Sequence, residues 1–181
     1  MKFLELRNKL IAGLSGYLKI PVVLADQVQP EQSFPYVIYS VTSSYIPEAG
    51  LGEFSQIVDG DRNTEIRREQ SSCSFSFTVC SMNRESLDDN ANPVQIFGED
   101  EAMELSEKTQ GWFLHTGYDY ISNMGITVID VANVQNRSFL QVDEEARRYG
   151  FDVLIRYKRT DERQTNVIET VNARMEGDSN E

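Results

Sequence analysis

Residues 72–81 read SCSFSFTVCS, and this stretch decides the fold class. Cys73, Phe75, Phe77 and Val79 alternate with Ser74, Ser76, Thr78 and Cys80. Successive side chains of a strand point to opposite faces, so one face is apolar and core-directed while the other is small and polar. The polar face is suited either to solvent or to a second subunit. Cys73 and Cys80 fall on opposite faces, roughly 23 Å apart along an extended chain. A disulfide needs Cα atoms within about 7 Å, so the two do not pair. Folding in a reducing compartment suits this pattern.

Working outward, a second alternation runs through 148–158, RYGFDVLIRYK. Phe151, Val153, Ile155 and Tyr157 point inward, and Asp152, Leu154, Arg156 and Lys158 point outward. Residues 36–42 are rich in Tyr, Val and Ile and read as a further strand, as do the short run 22–24 and the apolar stretch 126–134. Shorter or later strands are expected at 138–142 and 166–175. Two helices accompany them. Phe3, Leu6, Leu10, Ile11, Leu14 and Tyr17 form one stripe over 2–18, ended by Pro21. Ala102, Leu105, Thr109, Trp112 and Phe113 form another over 99–116. There Glu99, Asp100 and Glu101 complement the helix dipole, and Gly117 is placed to cap the end. The fold class is therefore α+β: a mainly antiparallel sheet with two main helices packed on it.

Two segments lack periodicity. Residues 43–69 carry Pro47, Gly50, Gly52 and Gly60 among charges. A structureless loop of that length is uncommon in a compact domain. The segment 43–70 is read as an extended arm that orders on assembly, with a short β-ribbon near 55–58 and 65–67. Residues 83–98 read as an irregular connection. The chain is expected to hold a single domain over 1–175, with a disordered tail at 176–181.

The 181 residues include 40% hydrophobic and 10% aromatic side chains, enough for a sizeable core. The formal net charge is -12, which disfavours gripping duplex DNA by its phosphates. The N-terminus carries too many charges for a signal peptide, and no run approaches the roughly 20 apolar residues of a membrane span. Synthesis in the cytoplasm and no membrane partner are expected.

The catalytic inventory is thin. His115, the one histidine, falls in the last turn of the second helix. The glycines of AGLGEF are followed by no Lys-Ser or Lys-Thr pair, so they read as a turn rather than a phosphate cradle. GLSG at 13–16 lies within a helix and is no nucleophile elbow. The neighbouring acids Asp88 and Asp89, Glu99 to Glu101, and Glu144 and Glu145 have no partner His or Lys to activate. No catalytic, metal or cofactor site is expected. Basic residues gather at Arg62, Arg67 and Arg68 and at Arg147 and Arg148, while acids gather over 88–107. Such segregation suits head-to-tail contact between identical subunits. Tyr45, Ile46, Arg62, Glu65, Arg67, Arg68, Arg147 and Arg148 are the candidate contact residues.

Three stretches in order, FPYVIYSVTSSYIPE (34–48), IRREQSSCSFSFTVCS (66–81) and the run 102–157 from AMELSEKTQGWF to YGFDVLIRY, resemble the phage neck-terminator family. That family is akin to tail terminators and head–tail joining proteins. The resemblance spans about residues 4–170 and rests on Pro35-Tyr36, Arg67-Arg68-Glu69, Trp112-Phe113, Asn136-Arg137 and the run Arg148 to Asp152 taken together. It implies a hexameric ring of identical subunits at the top of the tail tube. Such a ring stops tube growth, meets the neck connector protein, and meets the sheath if the tail is contractile. Genomic DNA passes through without specific binding. No family catalytic residues exist to carry over. The longer 83–98 connection and the polar C-terminus depart from the pattern. A portal-side connector or stopper, and an adaptor that forms no ring, stay open as alternatives.

Overall fold

The computed structural model describes residues 2–25, 32–60, 62–87, 91–138 and 146–166. Leucines at every fourth position, Leu6, Leu10, Leu14 and Leu18, bury one side of α1 (Phe3–Leu18). Lys19 ends the helix in the left-handed region, its N–H returning to the Ser15 carbonyl at 2.9 Å. The strands β1 (Val22–Leu24) and β2 (Tyr36–Ile46) then pair in parallel. All other pairings in the sheet are antiparallel.

Two strands of 20 residues each, β4 (Arg62–Ser81) and β9 (Arg147–Asn166), form the spine. They pair from Arg62↔Asn166 to Ser81↔Arg147 with no shift of register. At a rise of about 3.3 Å per residue the spine is roughly 60 Å long. On one side β2 pairs with the body half of β4, and β3 (Glu53–Asp59) pairs with its other half. On the far side of β9 lie β7 (Ile126–Val131) and the two-residue β8 (Gln135–Asn136).

Every strand residue of the main core cluster lies on one face. Phe75, Phe77, Phe151, Val153 and Ile155 meet the α1 leucines together with Trp112, Phe113 and Ile121. Phe77 is the hub, with ring centroids 5.0 Å from Phe113 and 5.9 Å from Phe151. The alternation of 72–81 and 148–158 thus maps onto the structure as expected. Both cysteines are free and buried, and burial pushes the Cys73 thiol up to about 12.

Several expectations are corrected. The ribbon expected near 55–58 and 65–67 is present, but the segment 43–69 is more regular than expected: β2 continues to Ile46, and β3 and the first half of β4 form a complete hairpin ladder within one chain. This half of the sheet runs past the helices, so they cover neither face and the alternating pattern disappears, although Ile66 is buried. Residues 83–98 hold a small hairpin, β5 (Arg84–Leu87) with β6 (Pro93–Ile96). The helix expected over 99–116 is α2 (Gly98–Gly111), continued by a π-helical turn over Trp112–Thr116 and then α3 (Tyr118–Asn123). Two consecutive large rings, Trp112 and Phe113, both turn inward where the helix widens. Ser106 takes the buried place expected of Leu105, which is half-buried. Finally, β7 stops at Val131, short of 134. Gly117 does follow the turn, but at φ -92 it needs no glycine for its backbone. A side chain there would overlap the Trp112 ring, 2.5 Å from its Cε2. All but the first residue of the strand expected at 138–142, all but the start of the one expected at 166–175, and the tail 176–181 lie outside the described residues.

Candidate assembly surface

Six of the eight expected contact residues gather on one half of the spine. Tyr45 and Ile46 end β2 at the base of the arm, where Ile46 faces Ser72. Arg62 stands at the tip, and Glu65, Arg67 and Arg68 lie between. Arg147 and Arg148 begin β9 at the opposite end, beside Ser81 and Cys80. The two basic clusters are therefore separated by most of the length of the spine.

The base of the arm is clamped around a buried carboxylate. Glu69 is only 4% exposed. Its oxygens accept the Tyr45 hydroxyl at 2.8 Å, the Glu48 backbone N–H at 2.9 Å and the Arg67 guanidinium at 2.6 Å. Burial pushes this carboxyl upward, but those donors outweigh it and hold it below its ordinary 4.5. Arg67 also donates to the Leu51 carbonyl at 2.6 Å and to Asp161 at 3.2 Å. Arg159 chelates Asp161 and stacks 4.6 Å from the Tyr45 ring centre. Tyr45 and Arg67, expected as contact residues, thus direct their polar groups within the chain. They fix the 47–52 turn against the ribbon.

Farther out the polar side chains are more exposed. Arg68 donates to Ser55 at 2.8 Å, and Glu65 pairs with Arg163 at 2.9 Å. Arg62 forms no ion pair among the described residues. The sequence reading passed over the apolar side chains here. Leu51, Phe54, Ile57 and Val58 are all more than half exposed. Four apolar residues within eight positions of a charged segment were the signal available.

The opposite end of the molecule is locked rather than open. Arg84 makes a two-pronged ion pair with Glu101, both contacts at 2.7 Å, and Ser81 also donates to that carboxylate. The Arg84 hydrogen bonds, opposed by burial and helped by Ser81, lower the Glu101 carboxyl from its ordinary value. The acidic region expected over 88–107 is thus partly satisfied internally. Arg137 lies across the outer face of the spine. It donates to Ser76 at 2.6 Å, Thr78 at 3.1 Å and Asp152 at 2.9 Å. Gly150 makes room for it: a Cβ there would overlap the Phe77 carbonyl oxygen and crowd the Arg137 stem. Asn136 donates to the Tyr149 hydroxyl at 3.3 Å, which itself donates to Glu99 at 3.1 Å. The Asn136-Arg137 pair and the Arg148 to Asp152 run are therefore two halves of one clamp.

Among the described residues no three of His, Cys, Asp or Glu gather as metal ligands. His115 is exposed on the π-helical turn. The arrangement can offer shape, charge and open strand edges. The family model for the phage neck terminator protein matches residues 8–181. The chain belongs to this family. No curated protein matches it. Membership makes it a structural protein of the phage neck. The clamp residues that carried the resemblance hold β8 and β9 together in this neck terminator.

Proposed function

We propose that the chain assembles into a closed homo-oligomeric ring, a hexamer, at the head-proximal end of the tail. The ring caps the tail tube and joins it to the neck connector, with the sheath as a further neighbour in a contractile tail. Genomic DNA passes through its opening. Assembly takes place in the host cytoplasm and the product resides in the virion.

The observation that carries this reading is the arm. Three strands, β3 and the ends of β4 and β9, extend beyond the helices with outer edges that make no ladder among the described residues. Open edges and exposed apolar side chains on a neck protein call for a neighbour. An edge that meets a different edge of an identical copy generates a ring when the rotation closes. A net charge of -12 suits a passage through which a polyanion moves without being held.

The test is deletion of residues 50–64 with a short linker. The expected product is a folded monomer with normal circular dichroism that leaves tails uncapped and unjoined to heads. Normally capped and joined tails would count against the reading. Adding purified protein to isolated tail tubes and to tailless heads separates it from a portal-side connector, which would bind heads alone.

A further inference from the structure

We propose that β3 of one copy adds to the open edge of β7 in the next, its apolar side chains filling a groove beside that strand. This deepens the ring reading and rests on it.

The acceptor is a groove of about 480 Å³ between β7 and the π-helical turn and α3, lined by Phe113, Leu114, Tyr118, Ile121, Val128 and Ile129 among others. Leu114 and Tyr118 stand more than 60% exposed. β7 pairs only with β9, so its other edge leaves backbone donors and acceptors without ladder partners among the described residues. A strand edge beside an apolar groove is suited to an added strand, main chain on the edge and alternate side chains in the groove.

The donor is β3, whose outer edge is equally open. Phe54 and Val58 lie opposite Arg67 and Asn63. Those β4 positions share the face of Cys73, Phe75 and Phe77, so Phe54 and Val58 lie on the helix side of the sheet. The groove is also on the helix side. Charge agrees with this facing. Arg62 lies on the outer face of the ribbon, in the same set as Thr64 and Arg68. On β7, Asp130 is opposite Leu154 and is therefore on the outer face too. Asp130 is exposed and makes no ion pair among the described residues, and neither does Arg62. Joining β3 to β7 with the faces matched places apolar side chains in the groove and brings Arg62 to the side of Asp130. In sequence Asp59 and Asp61 stand beside Arg62, so the charge match is one pair, Arg62 with Asp130, and two copies of this chain supply both its members. Donor and acceptor are different patches of one surface, so the contact runs head to tail.

The test uses the full chain in assembled particles. Val58→Cys and Ile129→Cys are placed together, both native cysteines being buried. Mild oxidation of purified virions should give a ladder of linked copies on a non-reducing gel, absent from either single variant. Arg62→Glu should lower the number of copies per particle at least about tenfold, and Arg62→Glu with Asp130→Arg should restore it. If particles image with a ring at the neck, but no ladder forms and Arg62→Glu incorporates normally, the β3–β7 contact is wrong and the ring stands. A cross-link from Val58→Cys to the tube protein instead would also overturn it. Particles that image with no ring of this protein overturn both.

Discussion

Glu69 is the residue on which the arm's attachment turns. Three donors from three separate positions converge on a carboxylate that water barely reaches. Its ionisation is favoured by the fold, as is that of Glu101 and of Asp152. For Asp152, burial is outweighed by the hydroxyl of Ser76 and the guanidinium of Arg137. A carboxyl whose folded value lies below its unfolded one stabilises the fold above the unfolded value. That contribution is lost as pH falls through the folded value. The unfolded values are 4.5 for the glutamates and 3.8 for Asp152. Melting temperature is therefore expected to stay level from about pH 7 to about pH 5 and then to fall steadily toward about pH 3. Glu69→Gln should melt lower at neutral pH and show a shallower acid decline. A wild-type melting temperature that stays flat through the acid range would refute this account.

At the scale of the element, the clamp between β8 and β9 depends on a missing side chain. Gly150→Ala places a methyl group against the Phe77 carbonyl oxygen, which the spine's ladder holds in place. A loss of about 2–3 kcal/mol is expected from such overpacking, measured by chemical denaturation. Adding Arg137→Ala should relieve only part of it, because the carbonyl cannot withdraw. A neutral Gly150→Ala would show that the strands separate more readily than the register implies. This scale also shows what the sequence reveals. The body halves of β4 and β9 are legible because one of their faces is covered, and burial writes a period of two into 72–81 and 148–158. The arm halves are built from the same ladder, but the helices cover neither face, so Ile57 and Arg68 carry no periodic message. The six-residue α3 is likewise invisible. It is too short to declare itself by propensity, and is held instead by the buried Ile121 and by the Tyr120 hydroxyl donating to the Lys9 carbonyl at 2.8 Å. Of the candidate contact residues, the sequence supplies the charges. It does not tell Arg67, which turns inward to Glu69, from Arg62, which does not.

For the whole molecule, length is the distinguishing property. A globule of this size has a radius of gyration of about 16 Å. A spine of roughly 60 Å exceeds what such a globule spans. Solution scattering of the monomer should give a radius of gyration above about 16 Å and a maximum dimension of at least about 60 Å. Deleting residues 50–64 should shorten both. A compact profile for the intact chain would mean that the arm folds back. The unbroken register of β4 on β9 has a mechanical consequence. A bulge would give the ribbon a joint, and none interrupts the ladder from Arg62↔Asn166 to Ser81↔Arg147. The outer half therefore behaves as a stiff lever of about 30 Å, on which a tilt of about 5° at the body displaces the tip by roughly 2.5 Å. That displacement nearly equals the step between adjacent residues of a strand. In the proposed ring, small errors of orientation at one copy would be passed on enlarged to its neighbour, so this geometry would tolerate little variation in how many copies close it.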